Sequence, residues 1–86
     1  MTVKEIHDHM LKEFPEEMQS AVDYHQMALA AKEAGKETEY IYLFSIARDE
    51  MTHAKHLHEY LTENGIQIPE DQERRYKELD AAHKFQ

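Results

Sequence analysis

Apolar residues recur every three or four positions along almost the whole chain, the period of amphipathic helices rather than of alternating strands. From Val3 to Phe14, Ile6, Met10 and Leu11 fall at helical spacing. Pro15 then either kinks this helix or opens a new one, with Glu16 and Glu17 favourable in a first turn near the positive end of the helix dipole. The pattern continues to about Ala34, where Gly35 is a natural C-terminal cap. A second helix runs from about Glu37 to Asn64 and stops at Gly65. Ile66 to Ile68 connect it to a third helix, with Pro69 as first residue, Glu70 and Asp71 in the first turn and Lys84 near the end. The expected fold is all-α: an antiparallel hairpin over about residues 15–64 and a terminal helix over about 69–84, in a single domain spanning 1–86.

Two polar side chains break the apolar stripes. Around Glu17, at 100° per residue, lie Met10, Phe14, Ala21, Tyr24, Ala28 and Ala31. On the second helix the matching stripe reads Tyr42, Leu43, Ile46, Glu50, His53, Leu57 and Tyr60. A carboxylate and an imidazole therefore sit where packing favours hydrocarbon, and a buried charge is costly unless paired or metal-bound. Glu50 and His53 form a Glu-x-x-His pair on one helical face. With 13 glutamates and 7 histidines in 86 residues, roughly one such tetrapeptide is expected by chance, so the pair alone is weak evidence.

Its weight comes from Glu17. At 1.5 Å per residue Glu17 lies roughly 27 Å before Gly35, and Glu50 and His53 about 22 to 27 Å after it. A short turn makes the two helices antiparallel neighbours, so the three side chains share a level and converge between them. Tyr24, two turns above Glu17, is placed to hydrogen-bond a ligand, although a phenol in a helical core is ordinarily packing. His56, about 60° round from His53, is a second candidate neighbour of the site, and His58 points nearly opposite. His7, His9, His25 and His83 have no partner spacing that singles them out.

Composition narrows the chemistry. Eighteen acidic against ten basic residues give a formal charge of −8, which argues against a nucleic-acid backbone or an anionic membrane as partner and suits attraction of cations. The absence of cysteine removes disulfides and thiolate sites, so any metal takes oxygen and imidazole ligands. Such a set suits iron or manganese in the +2 state. The N-terminus carries His7, Asp8 and His9 rather than a signal peptide, and no run reaches membrane-spanning length; the default expectation is a cytoplasmic protein. A chain this short buries little surface alone, so a partner chain, a metal or both would help it.

Glu50, His53 and Ala54 before an amphipathic run to Leu61, with Glu17 at matched level and Gly35 between, resemble one half of a ferritin-like domain. Rubrerythrin is the nearest comparison, over about Glu17 to Leu61 and including Tyr24, and the piece from Pro69 onward looks like the terminal helix of encapsulated ferritins. The resemblance implies a non-haem di-iron carboxylate protein with ferroxidase chemistry. Glu17 and Glu50 would bridge or chelate and His53 would be a terminal nitrogen ligand, with Tyr24 and His56 beyond the direct ligands. Such a site draws on four helices, and this chain offers one carboxylate helix and one Glu-x-x-His helix. A two-fold homodimer, or a higher homo-oligomer built on it, would complete a ferritin-like four-helix bundle around two irons, with manganese as the other candidate metal.

Two departures from the family limit what it implies. Without cysteine there is no rubredoxin-like iron centre, so oxidation of ferrous iron by oxygen or peroxide fits better than peroxidase activity. Ala81 to Gln86 do not form a typical docking tail for an encapsulating shell, although such a shell remains a candidate partner. The alternatives are a metal-independent structural or partner-binding helical module and a non-redox manganese or zinc site. Phe44, Ala47, Met51, Ala54, Val22 and Leu29 lie off both stripes. They are expected to meet either further copies or the terminal helices.

Overall fold

The computed structural model describes all 86 residues and contains three helices and no strand: α1 (Val3–Glu33), α2 (Glu37–Glu63) and α3 (Glu70–Ala81). A capping box starts α1: the Glu5 N–H donates to Thr2 Oγ1 at 3.1 Å and the Thr2 N–H to the Glu5 carboxylate at 3.3 Å. Both long helices stop in the same way. At the first stop Gly35 has φ 74°, its N–H donates to Lys32 O at 3.0 Å, and the Lys36 N–H donates to Ala31 O at 2.9 Å. Gly65, with φ 67°, repeats the motif through bonds from Gly65 to Thr62 and from Ile66 to Leu61. These paired bonds satisfy the last carbonyls of each helix and need a left-handed residue, which glycine supplies without strain.

Pro15 neither opens a new helix nor breaks the first; α1 runs through it. Lacking an N–H, Pro15 leaves the Leu11 carbonyl without its helical partner. Pro15→Ala is therefore expected to stabilise the protein by about 1–3 kcal/mol, seen as a higher melting temperature at unchanged helicity. Pro69 precedes α3 rather than beginning it, and α3 stops at Ala81, short of Lys84. The tail then turns back through His83, with φ 55°, and buries Phe85 against the hairpin.

The core joins Phe14, Met18 and Ala21 of α1, Ala47, Met51, Ala54 and Leu61 of α2, and Ile68, Tyr76, Leu79 and Phe85 from the C-terminal third. Ala21, Ala28, Ala47 and Ala54 are fully buried, and such small side chains let α1 and α2 approach closely. The α1 stripe is as the periodicity indicates, with Phe14, Ala21 and Ala28 buried. On α2 the buried face is the other one. Tyr42 is 67% and Tyr60 40% exposed, and no member of the Tyr42-to-Tyr60 stripe is buried. The face carrying Ala47, Met51 and Ala54 is closed instead: it joins one core with α1 and with Leu79 and Phe85 from the C-terminal third.

A polar clasp holds α3 there. His58 Nε2 lies 2.8 and 3.0 Å from the two Glu73 oxygens, and its ring stacks on Tyr76 at 4.1 Å and 14°. Phe14 packs against both rings. Burial, then the negative charges of Asp80, Glu59 and Glu73, push the Tyr76 phenol up to about 12, so it stays protonated. Arg75 adds a bond to Gln19 at 2.7 Å. The resulting body measures 47 × 27 × 16 Å, thinner than two full layers of helices because only the short α3 and the tail cover the hairpin. Its thinness explains why only 12 of 86 residues are buried, and it leaves one broad side of the hairpin uncovered.

Candidate metal centre

That uncovered side carries Glu17, Glu50 and His53. Met18 is the central residue of α1, and Glu50 is the central residue of α2. The turn at Gly35 brings the two midpoints level, and one donor atom from each of Glu17, Glu50 and His53 lies within 4.8 Å of the others. Glu17 Oε2 and His53 Nδ1 are 3.6 Å apart. A cation bonded at about 2.1 Å places neighbouring donors about 3 Å and opposite donors about 4.2 Å apart. A small rotamer adjustment therefore closes the three around one ion.

Electrostatics points the same way. The Glu17 side chain is 18% exposed, and its Oε2 is buried without a hydrogen-bond partner. Burial, then the neighbouring Glu50 carboxyl, push Glu17 up to about 7; His53 acts in the opposite direction, and Glu13 adds to the rise. An orphaned buried carboxylate oxygen, a second carboxylate and an imidazole fit a divalent cation, which would satisfy the orphan and neutralise the repulsion. His53 is the open edge of the site, 56% exposed. The three surface cavities of the molecule all lie elsewhere, so on its own side the site is a shallow patch rather than a pocket.

Each candidate from the sequence has a definite place. Glu17, Glu50 and His53 converge. Tyr24 is half-buried and packs against the core, which is the packing role expected of a phenol there. His56 is exposed and outside the cluster. His58 does point away, into the clasp with Glu73. Sequence spacing passed over three other contacts. His7 Nε2 lies 3.4 Å from the Tyr60 hydroxyl, tying α1 to α2 below the site. His25 sits between Phe44 and Phe85, where burial, then the Lys84 charge, hold it below the ordinary imidazole range. Glu13, paired with His9 at 3.5 Å, reaches Glu17 electrostatically. Only the last has a local signature, its position four residues before Glu17.

No family model, curated protein or solved structure matches this chain. No helix is long and apolar enough to cross a membrane.

Proposed function

We propose that the chain is half of a ferritin-like di-iron carboxylate protein, in which two copies pair through the open face and oxidise ferrous iron. The observation that carries this reading is the convergence of Glu17, Glu50 and His53 at the centre of that face, with Glu17 Oε2 buried and unpartnered. One chain supplies three protein donors, too few to enclose a pair of metals. A second copy related by a two-fold axis through the site doubles the set to four carboxylates and two imidazoles.

The apolar surroundings support that axis. Ile6, Met10, Leu57 and Tyr60 lie on one side of the midpoint, and Tyr24, Tyr42, Leu43 and Ile46 on the other. A perpendicular two-fold axis through the midpoint lays each group on the partner's opposite group. Ile6, Tyr42 and Tyr60 are 41%, 67% and 40% exposed in the single chain, apolar area that such pairing would withdraw from water.

In this assembly Glu17 and Glu50 would chelate or bridge the metals and His53 would bind as a neutral imidazole. Ferrous iron is the substrate and supplies the electrons that oxygen or peroxide accepts. Acquiring the ions displaces the proton that Glu17 holds near neutrality, since the liganding carboxylate is the ionised form. The partner face would also turn an open patch into a closed, dry site, in which charge interactions strengthen.

Anaerobic titration with ferrous iron tests the reading. Binding is expected to saturate at about one iron per chain, two per dimer, and exposure to oxygen should produce a ferric absorption band. Failure to retain iron would reject the site. Retention of iron with no band after oxygen would reject ferroxidase chemistry and leave a non-redox centre.

A further inference from the structure

On the opposite side of α2, remote from Glu50 and His53, a recess of about 140 Å³ opens between α2, α3 and the C-terminal turn. Arg48 and Lys55 line it and sit roughly 160° and 140° around the helix from Glu50. Its floor is hydrocarbon: Met51, Leu79 and Phe85, each 8% exposed. The two cations flank Thr52 on one wall, and the Thr52 hydroxyl is already turned onto the Arg48 carbonyl at 2.9 Å. Neither cation takes part in an ion pair, in a chain where acids outnumber bases by 18 to 10.

The C-terminal turn completes the rim. Gln86 Nε2 lies 2.9 Å from His83 Nδ1; with the amide donating, the ring proton stays on Nε2 and adds a donor. His83 is the one non-glycine residue with positive φ, a conformation that costs on the order of 1 kcal/mol. The turn is held against that cost by the burial of Phe85. Asp80 is the one acidic side chain lining the recess.

We propose that this recess binds a small organic carboxylate. Its anionic end would lie between Arg48 and Lys55, and its apolar body, of one ring or a short branched chain, would rest on Met51, Leu79 and Phe85. The size follows from the volume, since a cavity near 150 Å³ holds benzene. The class follows from the chemistry of the two walls. A bare inorganic anion would leave the hydrocarbon floor wet, and a neutral ligand would leave both cations unpaired.

Benzoate is a suitable probe, measured by calorimetry on the full chain beside benzamide, its neutral counterpart, and inorganic phosphate. Saturable benzoate binding is expected, about tenfold or more tighter than for either comparison compound. Arg48→Gln and Lys55→Gln should each weaken it about tenfold, and Asp80→Asn should tighten it about threefold. These side chains are exposed, and unchanged helicity would show that the variants still fold. Three results would overturn the proposal: no saturation by benzoate, equal binding of benzamide or phosphate, or full benzoate affinity in the Arg48→Gln, Lys55→Gln double variant.

Discussion

Glu17→Gln should make the metal-free protein more stable at pH 8 and, if the proposed centre binds iron, should abolish that binding. In the folded chain burial and Glu50 raise Glu17 from 4.5 to about 7. Between those values the native state holds a proton that the unfolded chain has released, so this group's contribution to stability falls as pH rises. Below about pH 4.5 both states are protonated and no penalty exists; above about pH 7 the penalty is complete. A shift of this size corresponds to at most about 3 kcal/mol. Glutamine keeps the shape and removes the charge, so its advantage should be absent at pH 4, grow through the window and level off above pH 7. For a domain of this length a gain of 2–3 kcal/mol raises the melting temperature by roughly 10–20 °C. Melts of both proteins in chelator at pH 4, 6 and 8 measure it directly. Parallel melts at all three values would show that Glu17 is not held in the unfavourable setting described above.

Such a group is costly to fold around, and in the proposed dimer it would be a ligand. The second large effect falls on assembly. Pairing two metal-free chains through the open face brings Glu17 and Glu50 of each copy into one core, so four carboxylates oppose the apolar gain. Divalent metal reverses the sign of that contribution. Ferrous iron added anaerobically at neutral pH should therefore shift the 10.2 kDa chain to about twice its mass or a higher multiple. Glu50→Ala should lose the shift. Glu50 is half-buried on the open face rather than in the core, so the variant should keep its helicity. A mass indifferent both to iron and to the substitution would contradict metal-linked pairing. It would leave open only a dimer held by Ile6, Tyr42, Tyr60 and their neighbours.

The exposed residues on the open face explain where the sequence could be read and where it could not. Counting residues to Gly35 puts Glu17 level with Glu50 and His53, and the structure brings the three together. The count succeeds because both long helices are regular and both stop at glycines whose backbone requirement is local. The period of α2 is ambiguous. Tyr42, Leu43, Ile46, Leu57 and Tyr60 form one apolar face and Ala47, Met51 and Ala54 another, and helical period alone ranks neither above the other. Pro15 posed a similar choice, since its ring tolerates either a helix start or an interrupted ladder.

The amino-acid sequence by itself determined the all-helical fold, the glycine stops of the two long helices and the common level of Glu17, Glu50 and His53. Each depends on residues within a few positions or on a fixed rise per residue. Tertiary structure alone decided that α1 continues through Pro15, that His58 clasps Glu73, and that α3 and Phe85 cover the Met51 face. Those outcomes are settled by competition between distant segments for the same apolar surface. By winning the Met51 face, Tyr76, Leu79 and Phe85 leave Glu17, Glu50 and His53 on the side that remains open.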